Sequence, residues 1–528
     1  MSRYGRWAAL LGLALGALCV GPGLAPGYIL LQDMVFVPDP AFSSFTFGLT
    51  GGAPRAVPSD LVVTALAQIV PADLVQKLVL LGVFMLGCSG AALLVPAAAL
   101  APRLVAGAFY VWNPYVAERL LMGQWALLLG YAGLPWVVRA LIRHRLPAAA
   151  LLPAAVGGFA AMTVTALTAL PVALRGAIRA GTAGREGVAE REGVARWRPA
   201  GGVAGLLVAF SLPWLVTALI RPDGLIGDPV GVDAFAVRAD GPLGTIGSVL
   251  SLGGIWNAWA VPPGFDDPVS AVARLALVPA GVVGFWFAWR GGPAGGEAGG
   301  QGLGGLAVAA GTGLLIACLG AVEPGREVLK ALIGVWSGFA VFRDGQQYLA
   351  PLALLVAVGL GALTARVTAR WAVAMALVPL AVLPTMAWGV SGALAAVPYP
   401  ESWMRAREIV ARNPAPGDVL VLPFESYRRF PWNAGRAVLD PAQRFFATAG
   451  RDVVVNDSVR VGDLVVGTED ARAKRVAGML GEPVRLAGAG IRFVVVDVPG
   501  AEGPLPGARL VMDAPDLRLY ELGGGITG

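Results

Sequence analysis

The chain has 528 residues, 56% of them hydrophobic and only 14% charged, with a mean hydropathy of +0.69. A soluble globular protein carries roughly 25% charged residues. One buried core cannot absorb this much apolar surface, so the composition excludes a single soluble domain and requires several lipid-facing spans of about 20 residues each. The cations, 40 Lys plus Arg against 34 Asp plus Glu, sit in short segments between apolar runs rather than in a stripe interleaved with aromatics. That pattern fits a positive-inside bias and argues against nucleic acid as a partner.

Cys19, Cys88 and Cys318 each lie inside an apolar run, so neither a disulfide framework nor a thiolate metal site is expected. The single histidine, His144, falls in the basic run Arg139 to Arg145 and reads as a solvated juxtamembrane residue.

In chain order, Arg3 and Arg6 precede an apolar run from Trp7 to about Leu31, read as a retained first span with a cytoplasmic N-terminus. The loop Gln32 to about Ala72 is then extracytoplasmic and carries Asp33, Asp39 and Asp60. Spans follow at about Leu74 to Ala101, Leu104 to Trp112 and Trp125 to Val138, the last ending in cations that mark the cytoplasm. Leu146 to Leu174 is flanked by cations on both sides, which two short helices in a hairpin would satisfy. The tandem REGVA segment after it reads as a hydrophilic cytoplasmic loop. Further spans run from Gly202 to Ile220, Val269 to Trp289, Leu303 to Ala321, Tyr348 to Leu363 and Trp371 to about Val390. The long segment Arg221 to Pro268, rich in Asp, lies outside. The total is about eleven transmembrane helices with alternating flanks.

After about residue 395 charged residues become frequent and short β-type runs appear, at Asp418 to Leu422, Asp452 to Val455 and Arg492 to Val496. Helical patterning near Glu401 to Asn413 and Thr468 to Leu480 completes a small α/β domain, placed outside by parity. The expected organisation is a polytopic α-helical membrane domain over 1–395 and an extracytoplasmic α/β domain over 396–528 of a multi-pass cell-membrane protein. No Gly-rich phosphate loop follows any of the tail's strands, so no nucleotide site is expected there.

Three places carry candidate chemistry. Asp33, with Asp39 in reserve, stands just outside the first span, where a carboxylate can act as general base toward a hydroxyl; capping or solvating the loop is the plain alternative. The segment Asn113 to Trp125 places Asn113, Glu118, Arg119 and Gln124 beside an apolar hairpin, as substrate-binding groups or as an interfacial anchor. In the segment Phe342 to Tyr348, Arg343 could clamp a phosphate, or pair internally with Asp344. No protein-bound metal site is read from the sequence, and metal dependence is left open.

An acidic residue just after the first span, about eleven spans, a short helical hairpin midway and a C-terminal outer domain resemble the GT-C superfamily of polyprenyl-phosphate-sugar-dependent glycosyltransferases. The segment NPYVAERLLMGQWALLLGYAGLPW also resembles bacterial cell-envelope arabinofuranosyltransferase-like membrane proteins. The resemblance covers residues 1–395 and implies that Asp33 matches the catalytic acidic position. The loop departs from the family pattern in having no adjacent acidic pair. What the resemblance implies is transfer of a sugar from a polyprenyl-phosphate donor, drawn from the surrounding membrane lipid, to an envelope glycan or glycoconjugate acceptor at the outer face. A lipid or solute transporter, or a non-catalytic envelope scaffold of the same fold, are the alternatives; no repeat between the two halves supports the transporter.

Overall fold

A computed structural model describes residues 2–182, 198–220, 228–290, 303–497, 505 and 507–523. The REGVA loop, Asp223 and the Gly-rich stretch after Arg290 lie outside these residues. The chain divides into two compact units, the first comprising Met1–Pro22, Leu78–Leu212 and Gly231–Leu394 and the second Gly23–Lys77, Pro213–Val230 and Ala395–Gly528.

The chain is a multi-pass membrane protein. Among the described residues eight helices are long and apolar enough to cross a membrane: Arg3–Leu24, Ala72–Leu94, Trp125–Ile142, Ala148–Ile178, Pro199–Ile220, Pro268–Arg290, Gly304–Ala321 and Gly345–Thr364. A bent pair, Ala374–Val382 and Pro384–Ser391, makes a ninth if counted as one span. Eleven were expected, and the difference has local causes. The helix Leu100–Val111 has only 12 residues and stops before Asn113-Pro114, because the residue ahead of a proline is pushed out of the helical region. The expected hairpin of two short helices is one element, Ala148–Thr182, broken at Gly158, whose φ of 74° no regular helix adopts. The final span bends by 73° at its break, where Pro384 cannot continue the preceding helix.

In the first unit the helices Pro268–Arg290 and Ala350–Thr364 meet through bare backbone. A Cβ on Gly359 would lie 1.7 Å from the Gly281 carbonyl oxygen, and one on Gly284 would lie 2.0 Å from that of Gly359. Small residues permit this approach where lipid offers no hydrophobic drive to association and packing must supply it.

The second unit is built on a mixed five-stranded sheet, in the order Ala508–Asp513, Arg518–Leu522, Ile491–Val496, Asp418–Leu422 and Val453–Val454. Asp418–Leu422 runs parallel to both its neighbours, while the first three strands pair antiparallel. Alternation sets the two faces: Val419 and Val421 join Trp403, Phe430, Phe445 and Phe493 in one core, and Leu420 and Leu422 join Val476, Leu486 and Val494 in the other. The segment after the first span belongs to the same unit. Tyr28 and Ile29 pair antiparallel with Val397 and Ala396, and Leu30, Val35 and Val37 sit in the core that holds Trp403.

Candidate functional site

Asp33 and Asp39 lie in the second unit and occupy different settings. The Gln32 N–H donates to the Ala437 carbonyl (2.8 Å) and the Leu439 N–H to the Gln32 carbonyl (2.8 Å), which fixes the backbone next to Asp33. The half-buried Asp33 carboxylate accepts a hydrogen bond from the Tyr427 hydroxyl. Burial, and then the Asp33 charge, raise the Tyr427 phenol, so it stays protonated and acts as a donor. Asp39 is exposed, with a left-handed φ of 45°. The Arg407 guanidinium grips this turn through the Pro38 carbonyl (2.6 Å) and the Asp39 carbonyl. Position and support therefore favour Asp33 over Asp39 as the ordered carboxylate of the loop.

The residues from Asn113 to Gln124 lie in the first unit, on the helix Pro114–Leu121 and its flanks. Pro114 opens the helix, and the Asn113 side chain caps it by accepting from the Val116 N–H at 3.1 Å. Its amide also donates to the carbonyls of Phe109 and Tyr110, both at 2.9 Å, and to the Tyr131 hydroxyl at 3.2 Å. Asn113 thus acts as a structural hub.

Glu118 and Arg119 are completely buried. Arg119 donates to both oxygens of Asp344, at 2.7 and 2.8 Å, to the Gln346 side-chain oxygen at 2.7 Å and to that of Gln124 at 2.5 Å. The structure thus brings Glu118, Arg119, Gln124 and Asp344 together. It pairs Asp344 with Arg119 and not with its sequence neighbour Arg343, because a fixed bidentate fork outcompetes an adjacent, partly solvated pairing. With every guanidinium nitrogen engaged by protein, Arg119 holds the loop in this state and offers no open fork to a phosphate. Arg343 instead lies over the Phe235 ring, 4.9 Å from its centroid.

Residues that sequence reasoning missed complete the cluster. Gln346 donates to Glu118 Oε2 (3.2 Å) and to the Leu252 carbonyl (3.3 Å). Asp240 accepts from the Gly254 N–H at 2.6 Å and lies beside Glu118, the two carboxyls sharing one face of Gly253. A Cβ on Gly253 would stand 2.1 Å from Asp240 Oδ2 and 2.8 Å from Glu118 Oε1. The buried Arg274 donates to the Ser270 hydroxyl (2.9 Å) and the Phe265 carbonyl (2.7 Å) and feels both carboxylates.

Burial, and next the neighbouring Asp240 charge, hold the Glu118 carboxyl well above the usual carboxylate range, with Arg119 opposing the shift more weakly. Among the described residues no three or more His, Cys, Asp or Glu side chains come together in a way that could hold a metal ion.

No protein-family model and no curated protein matches the chain. Among solved structures it is similar to the crystal structure of ArnT from Cupriavidus metallidurans in the apo state, over 100% of both chains, with 14% identity and a TM-score of 0.43.

Proposed function

We propose that this membrane protein is a glycosyltransferase of GT-C type, moving a sugar from a polyprenyl-phosphate donor to a hydroxyl of a cell-envelope acceptor at the outer face. Asp33 is its general base. As the acceptor oxygen forms its bond to the anomeric carbon, Asp33 takes the hydroxyl proton, and the bond from that carbon to the phosphate oxygen breaks with its electrons on the leaving phosphate.

The observation that carries this reading is the setting of Asp33. It follows the first span, it is half-buried on a backbone pinned by the Ala437 and Leu439 hydrogen bonds, and a neutral phenol donates to it. Such a donor favours the ionised carboxylate, the form a base needs, and orients it. The resemblance of the 1–395 region to GT-C enzymes supplies the reaction class.

The test follows a radiolabelled sugar from a polyprenyl-phosphate donor in membranes with and without the protein. Transfer to an envelope acceptor that depends on the protein supports the reading. Movement of the intact donor across the bilayer without transfer would replace it with a transporter.

A further inference from the structure

The cluster around Glu118 has an unbalanced charge. Glu118, Asp240 and Asp344 supply three carboxylates against the two guanidinium groups of Arg119 and Arg274. Glu118 has no exposed surface; its Oε2 accepts from Gln346, while its Oε1 makes no hydrogen bond of good geometry, the Ile255 N–H beside the carboxyl opposing the upward shift only weakly. That same oxygen stands with Asp240 Oδ2 against the Cα of Gly253, where no side chain separates them. An ionised, unpartnered oxygen buried next to a second carboxylate is strongly unfavourable, whereas a proton on it turns repulsion into a charge-assisted hydrogen bond.

We propose that Glu118 and Asp240 form a buried proton-binding site, which holds one proton between two carboxyls and latches the 240–254 segment to the helix Pro114–Leu121. The charged groups facing Glu118 are Asp240, Arg119 and Arg274; Asp344 and the Tyr115 hydroxyl face Arg119, and Asp267 faces Arg274. The site does not involve Asp33 and stands whether or not the chain transfers sugars.

The test uses the purified full-length protein in detergent and reads infrared absorption of protonated carboxyls at about pH 8, above the range of ordinary carboxylates, together with thermal melting against pH. Wild type is expected to show a protonated-carboxyl band that Glu118→Gln abolishes. Gln keeps the shape and a donor, so the variant should melt close to wild type at neutral pH. Because the folded-state affinity for the proton is raised, wild type should lose stability as pH rises further, and the variant should lose less. If Glu118→Gln does not accumulate, Asp240→Asn, whose amide can donate to an ionised Glu118, must abolish the same band. A wild-type spectrum without such a band overturns the proposal, as does a band that survives both substitutions. Stabilisation of wild type but not Glu118→Gln by sodium or calcium at the same pH also overturns it, since a metal cation would then occupy the site.

Discussion

The Arg119 guanidinium holds both oxygens of Asp344, at 2.7 and 2.8 Å, across 225 positions of sequence. This contact ties the helix Pro114–Leu121 to the turn ahead of the Gly345–Thr364 span. Arg119 is fully buried and Asp344 retains 20% side-chain exposure. Asp344→Asn should therefore cost about 3 kcal/mol, the lower end of the range for breaking a buried pair, because solvent reaches one partner. Arg119→Lys should also destabilise, since one ammonium cannot reach Asp344, Gln346 and Gln124 together. Thermal melts in detergent check both, and a Lys variant as stable as wild type would show that the fork geometry is dispensable.

The contact of Gly281 with Gly359 leaves no space for a methyl group, with 1.7 Å between a Cβ at position 359 and a backbone oxygen. Gly359→Ala must push two spanning helices apart, at a cost of about 1–3 kcal/mol. Gly311→Ala is the control, because a Cβ there meets nothing within 4 Å. Equal melting temperatures for the two variants would contradict this packing.

In the α/β unit, Arg428 pairs with Asp497 and lies 3.7 Å from Asp440, all three buried. Burial dominates both acids: it pushes Asp440 up to about 6, against the Arg428 charge, and Asp497 up to about 7, with the Asp440 charge adding to it. Both folded values exceed the unfolded value of about 3.9. The favourable contribution is thus complete below about pH 4 and is lost as pH rises through 6 to 7. Asp497→Asn leaves one Arg–Asp pair and should flatten the fall in melting temperature between pH 5 and pH 8. An unchanged slope would show that the triad does not titrate in that window.

Much of the architecture was legible because lipid imposes a long, simple signal. Runs such as Gly304–Ala321 are recognised by length and hydropathy alone, and the strands Asp418–Leu422 and Ile491–Val496 by their β-branched runs. Leu100–Val111 and the broken element Ala148–Thr182 were harder, because hydropathy does not register where a proline or a glycine at positive φ interrupts a helix. The association of Leu30, Val35 and Val37 with the core of the C-terminal sheet joins residues hundreds of positions apart and leaves no local trace. The same holds for the candidate residues. Glu118 and Arg119 stood out as charges in an apolar setting, but Asp240 was one Asp among several in its segment, and only its place against Gly253 distinguishes it.

If the Asp33 carboxylate takes the acceptor proton during sugar transfer, Asp33→Asn must remove that base. Asn keeps the shape and can still contact the Tyr427 hydroxyl, so folding and membrane insertion should match wild type while the base is lost. Transfer of radiolabelled sugar from a polyprenyl-phosphate donor should fall by about 10² or more, the scale of general-base loss. Asp39→Asn, at an exposed carboxyl, should change it far less. Equal transfer by wild-type and Asp33→Asn membranes at matched protein levels would show that Asp33 is not the base.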